Sequence, residues 1–141
     1  MMLKQIGISE SHIETLTSWC VRSGVTLCVL FGSRANGRAR PESDYDLATI
    51  PAPAPSLRLH WQVALEELLQ NDVDLVALSP TTEPVLGWEI ARGGRLVYEA
   101  QPGLWAVERA KLWHRYEDAL PFRRGLAESL RRFAQEARHA P

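Results

Sequence analysis

Between Ser9 and Ser23 the apolar residues Ile13, Leu16, Trp19 and Cys20 recur at helical spacing, with a serine suited to capping ahead of them and Gly24 as a stop. Val25 to Phe31 is a nearly continuous apolar run with β-branched members, which predicts a buried strand. The glycine-bracketed turn Gly32 to Gly37 is expected to open a short helix, and after the polar stretch Arg38 to Ser43 the segment Tyr45 to Ile50 reads as a second strand. Pro51, Pro53 and Pro55 cannot continue a central strand, so they form a stiff linker. Leu57 to Leu69 reads as a helix with Leu57, Trp61, Ala64, Leu65 and Leu68 on one face. Asp72 to Leu78 alternates in the manner of a third strand, Thr82 to Arg92 is a helix ended by Gly93-Gly94, and Arg95 to Tyr98 is a short fourth strand. Helical periodicity resumes at Leu104, and Pro121 is expected to divide that run into two helices. The chain carries no internal repeat and no low-complexity tract.

This order of elements predicts an α/β (α+β) domain, a small mixed sheet flanked by helices with a C-terminal helical tail. A length of 141 residues argues for one domain, with residues 1–100 as its core and 101–141 as an extension packed on the core or on a partner. Hydrophobic residues at 45% and charged residues at 23% are ordinary for a globular protein. Sixteen basic and seventeen acidic side chains leave a net charge of −1, which gives no global support for binding nucleic acid or membrane. The last third is locally basic, through Arg109, Lys111, Arg115, Arg123, Arg124, Arg131, Arg132 and Arg138. Cys20 and Cys28 are too few for a disulfide framework or a four-ligand zinc site, and their apolar neighbourhoods suit core packing. The chain shows neither a signal-peptide pattern nor an apolar run near the ~20 residues of a membrane span, so a cytoplasmic location is expected.

The chemistry concentrates in one strand-to-strand passage: Phe31-Gly32-Ser33, ten residues, then Asp44-Tyr45-Asp46-Leu47. Alternation along a strand turns Asp44 and Asp46 to the same side. Two adjacent carboxylates repel, and a divalent cation removes the conflict; all-oxygen ligands favour magnesium, which also takes substrate phosphate oxygens. Gly32 lets the backbone approach a phosphate closely, the Ser33 hydroxyl can donate to one, and Arg34 can add charge-assisted contacts. A third carboxylate is expected if two metal ions clamp the attacking and leaving oxygens. Asp74 is the preferred candidate and Asp72, two residues earlier on the same face, its rival, with a cap or turn role natural for Asp72 at the strand mouth.

Gly32-Ser33, ten residues, Asp44-Tyr45-Asp46 and a later strand aspartate together resemble the signature of the DNA polymerase β-like nucleotidyltransferases. The run Leu30-Phe31-Gly32-Ser33-Arg34-Ala35-Asn36-Gly37 and the short chain are similar, within that superfamily, to the minimal nucleotidyltransferases, the MNT antitoxins paired with HEPN-domain RNase toxins. The resemblance spans about residues 10 to 100, while Tyr116 to Pro121 resembles the C-terminal helices of such antitoxins only in general terms. It implies a nucleotidyltransferase fold and an enzyme that moves AMP from ATP to a tyrosine of the cognate HEPN toxin and so silences it. Asp44 and Asp46 would hold the catalytic magnesium, Asp74 would complete the site and help activate the acceptor hydroxyl, and Gly32 and Ser33 would cradle the triphosphate. The implied partners are the toxin and ATP, with no membrane and no direct contact to nucleic acid.

Other readings are weaker. A lone Asp-x-Asp triplet is usually a surface feature, and the glycine-serine turn at fixed distance after an apolar strand is what lifts this one above it. Arg109 and His114 have an Arg-x4-His spacing like that of HEPN nucleases, but the chain is not a helical bundle, so both read as exposed helix residues. His12, His60 and His139 have no metal-ligand spacing. The five tryptophans suit core or interface anchoring, with Trp105 and Trp113 the expected partner contacts. A small-molecule nucleotidyltransferase would want a larger substrate domain, and a purely binding antitoxin would not need the complete set Gly32, Ser33, Asp44, Asp46 and Asp74.

Overall fold

The computed structural model describes residues 7–139; the N-terminal residues read for a signal peptide and the side chain of His139 lie outside what it describes. Helix α1, Glu10–Ser23, starts where expected because the Ser9 hydroxyl accepts from the His12 amide at 3.1 Å. It stops because Gly24, at φ +75°, takes the left-handed conformation. Strand β1, Leu27–Phe31, is buried at all five residues, as its unbroken apolar sequence requires. A single 3₁₀ turn over Gly32–Arg34 is the short helix expected after it. Strand β2 is Tyr45–Ile50, helix α2 Arg58–Leu69, strand β3 Val73–Ala77, helix α3 Pro84–Gly93 and strand β4 Arg95–Glu99. The start of α3 is set by Pro84 in the first turn and by Glu83, whose carboxylate accepts from the amides of Val85 and Leu86.

The four strands form one mixed sheet in the order β3-β2-β1-β4, with β1 antiparallel to β2 and to β4, and β2 parallel to β3. Alternation sends successive side chains to opposite faces. Cys28, Leu30, Tyr45, Leu47, Val73 and Leu75 pack with Leu16, Trp19, Cys20, Leu65 and Leu69 of α1 and α2. Trp19 and Trp61 meet edge to face at 5.2 Å, tying those two helices together. Leu27, Val29, Phe31 and Ala48 face the other way, against Ile90, Ala91 and Leu112. The cysteines are free and buried, in keeping with core packing. Leu57 departs from expectation: it lies in a 3₁₀ turn ahead of α2 and is 47% exposed, because the proline-rich approach delays the helix by one residue.

The tail also departs from expectation. Instead of two helices, Leu104–His139 is one continuous helix, α4, with Pro121 inside it. The proline removes its own amide from the ladder and crowds the Glu117 carbonyl, but Glu117 is exposed, so that carbonyl can tilt outward to solvent. Side chains also bridge the position: the Arg123 guanidinium lies 4.1 Å over the ring of Tyr116, which stacks on Trp88 of α3 at 5.0 Å. The first half of α4 is anchored by Leu112, by Arg109 donating to the Ala91 carbonyl at 2.6 Å and by Arg115 donating to that of Ser79 at 3.1 Å. Beyond Pro121 the helix is exposed, with Phe122 and Phe133 at 75% and 71%. Among the described residues no helix is long and apolar enough to cross a membrane.

Candidate active site

Where β1 ends, the chain must turn beside a carboxylate. Phe31 pairs with Asp46 across the β1–β2 ladder, so Gly32 follows directly against that aspartate. Gly32 has φ +71°, and a Cβ there would sit 2.1 Å from Asp46 Oδ2. The left-handed backbone favours glycine, and any Cβ there would have to push the Asp46 carboxylate aside. Ser33, next in the turn, is half-buried, and its hydroxyl has no hydrogen-bond partner among the described residues.

Asp46 pairs in turn with Asp74 in the parallel β2–β3 register, which sends both side chains to the same face of neighbouring strands. Asp44 stands one residue ahead of β2, two from Asp46. Asp44 and Asp74 are exposed and Asp46 half-buried. Burial first, then the negative charges of Asp74 and Asp44, raise the Asp46 carboxyl above its usual range. None of the three carboxylates is paired with a basic side chain among the described residues. Asp72, the rival, is not among the charges acting on Asp46; its carbonyl accepts from the Tyr45 amide at 3.0 Å and its amide donates to Asn71 Oδ1 at 2.8 Å, as befits a strand mouth.

These residues fit a magnesium ion by donor chemistry. All three are hard oxygen ligands, and their mutual repulsion is what a divalent cation relieves. No group of three His, Cys, Asp or Glu among the described residues forms a ready-made metal cage. Magnesium does not require one, since it is commonly held by one or two carboxylates together with substrate phosphates.

Arg34 does not do what its position in the turn suggested. The side chain is 7% exposed and faces inward. Its guanidinium donates to the carbonyls of Ser43, Gly7, Pro41 and Arg40, and lies 3.9 Å over the ring of Tyr45. Donors so committed are not displayed to a phosphate. The sequence carried only a faint signal of this, an arginine after the glycine-serine pair and an aromatic between the two aspartates. Nothing in the sequence singles out Tyr45, because an aromatic inside a strand ordinarily reports nothing but core.

The partner-contact expectations divide. Trp105 is packed into the second core against Gly94, whereas Trp113 is 43% exposed. Trp113 lines a groove of about 450 Å³ between α3 and α4 with Arg92, Arg109 and His114, and this lining includes none of the three aspartates.

A glycine-serine turn abutting strand-borne aspartates, on a four-stranded mixed sheet, defines a nucleotidyltransferase. The chain belongs to the polymerase beta nucleotidyltransferase family, whose model matches residues 14–103. No curated protein sequence matches it. Among solved structures it is similar to a toxin–antitoxin crystallised with AMP-PNP, with a TM-score of 0.73 and 20% identity over 84% of this chain and 97% of the other. A chain of the MntA–HepT toxin–antitoxin gives 0.70 and 18%, covering 86% and 98%. A chain from the complex of tri-AMPylated Shewanella oneidensis HEPN toxin with MNT antitoxin gives 0.68 and 19%, covering 84% and 95%. At these identities the likeness is one of fold.

Proposed function

We propose that this protein is an adenylyltransferase antitoxin, moving AMP from ATP to a tyrosine hydroxyl of a cognate HEPN-domain RNase toxin and thereby silencing it. The observation that carries the proposal is the close approach of Gly32 to Asp46, which sets the glycine-serine turn directly against the acidic residues Asp44, Asp46 and Asp74. The similar chains crystallised with AMP-PNP and with an AMPylated toxin supply the nucleotide and the acceptor class.

The Gly32 and Ser33 amides and the Ser33 hydroxyl bind the triphosphate, Asp44 and Asp46 would hold magnesium, and Asp74 would complete the site. When bound, that ion supplies charge neutralisation to the phosphates and the leaving pyrophosphate. The tyrosine oxygen attacks the α-phosphorus in line with the bond to pyrophosphate, forming one P–O bond as the other breaks. Asp74 accepts the proton of the attacking hydroxyl. Positioning and electrostatics account for the rate, as in phosphoryl transfer generally.

The partner reading draws on α4. Phe122, Leu126, Leu130 and Phe133 repeat at helical spacing on its exposed half, flanked by Arg123, Arg124, Arg131 and Arg132. Residues 101–141 thus act as an extension that serves the partner, with its first half holding to the core.

Intact-mass spectrometry of the toxin after incubation with the chain, ATP and magnesium tests the whole. A gain of one or more AMP units, absent with Asp44→Asn, is the expected result. A stable complex without mass gain would establish neutralisation by binding alone, and neither complex nor gain would point to a small-molecule acceptor.

A further inference from the structure

The ten residues between Ser33 and Asp44 must return the chain so that Asp44 stands correctly beside the glycine-serine turn. Few bonds hold this loop from within: the Ser43 amide to the Arg40 carbonyl at 3.0 Å, the Arg40 amide to Ser43 Oγ at 2.8 Å, and the Arg38 amide to Asn36 Oδ1 and the Ser33 carbonyl, each at 3.1 Å. From outside, Asn71 donates to the Pro41 carbonyl at 3.0 Å. Arg34 joins the two ends. It follows Ser33 in the chain, and its Nε donates at 2.9 Å to the carbonyl of Ser43, the residue just before Asp44. Nη2 donates to Pro41 at 3.1 Å and to Arg40 at 3.4 Å, and Nη1 to Gly7 at 2.6 Å. The face of the guanidinium rests on Tyr45, which separates Asp44 from Asp46.

We propose that Arg34 is a positioning residue for nucleotidyl transfer, clamping the 38–44 loop so that Asp44 is fixed relative to the Gly32-Ser33 turn. It does not touch the nucleotide. Its use in catalysis rests on the adenylyl-transfer reading; the clamp itself does not. Only arginine suits the place, since its planar fork reaches several carbonyls at once while its face stacks on a ring. Lysine is a point charge with no face to stack. Turning Arg34 outward to a phosphate would strand inward-facing carbonyls without donors, and such groups are costly to leave unmade.

The test uses the full chain with Arg34→Lys, and Arg34→Ala as a second variant. Hydrogen exchange, with no nucleotide, metal or toxin present, reads the clamp directly. Exchange at the Ser43 and Tyr45 amides should accelerate by about tenfold or more, with β1 unchanged, as expected for local opening. Below the melting temperature of both proteins, kcat for AMP transfer should fall by roughly 100-fold, as for a misplaced catalytic group. The magnesium concentration for half-maximal rate should rise, while the KM for ATP at saturating magnesium stays within about threefold, because the contacts of the Gly32-Ser33 turn to the phosphates are intact.

Unchanged loop exchange in both variants overturns the clamp. A raised KM for ATP with unchanged magnesium dependence would make Arg34 a phosphate ligand and overturn the proposal. A loosened loop with unaltered kcat and magnesium dependence would reduce it to a purely structural residue. A wild-type chain that transfers no AMP defeats the adenylyl-transfer reading and the catalytic half of this inference with it, and the exchange experiment still decides the clamp.

Discussion

Gly32 and Asp46 constrain one another, since the aspartate occupies the space a Cβ at position 32 would need. Gly32→Ala must therefore either strain its left-handed backbone or displace the carboxylate, and should cost about 1–3 kcal/mol in stability. AMP transfer should drop by roughly 100-fold with it, from displacement alone; thermal unfolding and the mass assay check both. Asp46→Asn should act oppositely on stability. Because the folded-state pKa of Asp46 is raised, the folded protein holds that proton more tightly than the unfolded chain does. The destabilisation from its charge is absent below the ordinary carboxylate pKa, grows as pH rises through the raised value, and is complete at neutral pH. In magnesium-free buffer the Asn variant should thus melt higher than wild type at pH 7, by under about 1 kcal/mol after solvent screening. The difference should vanish near pH ~3, and AMP transfer should be lost at every pH. A wild-type protein more stable than the variant at pH 7 would overturn the acidic-repulsion account.

At the scale of elements, the strands and helices follow their apolar patterns closely; the departures are the one-residue delay of α2 behind its proline-rich approach and the places where a side chain acts at a distance. The alternation in β3 and the unbroken run of β1 survive into the fold because each reports which faces are buried. The local effect of Pro121 predicts a break, but α4 passes through it with Arg123, Tyr116 and Trp88 bridging the site from two helices. The two halves of α4 should respond differently to substitution. Leu112 is 3% exposed and packs against Gly87, so Leu112→Ala should cost ~2–5 kcal/mol. Phe133 is 71% exposed, and Phe133→Ser should stay within about 0.5 kcal/mol. Urea titration of the two variants separates them, and equal losses would mean that the exposed half of α4 packs on the core.

For the whole molecule, the sheet order β3-β2-β1-β4 gathers the chemistry at one place. Residues 31, 46 and 74 become lateral neighbours across three strands, although 43 positions separate the first from the last. If Asp44, Asp46 and Asp74 act through magnesium as proposed, activity should depend on added metal ion. EDTA should abolish AMP transfer and excess magnesium restore it; transfer that persists in EDTA would remove the metal from the mechanism.

The spacing of Gly32-Ser33 and Asp44-Tyr45-Asp46 was legible in the sequence because it lies within one strand-turn-strand passage, where local geometry dictates which residues share a face. Apolar periodicity likewise determined the number, type and order of the elements through β4. Tertiary structure alone decided the rest. Parallel register joined Asp74 rather than Asp72 to Asp46, cross-helix stacking carried α4 past Pro121, and burial turned Arg34 inward to backbone carbonyls that no local pattern could reveal, because those contacts exist only once distant segments have been brought together.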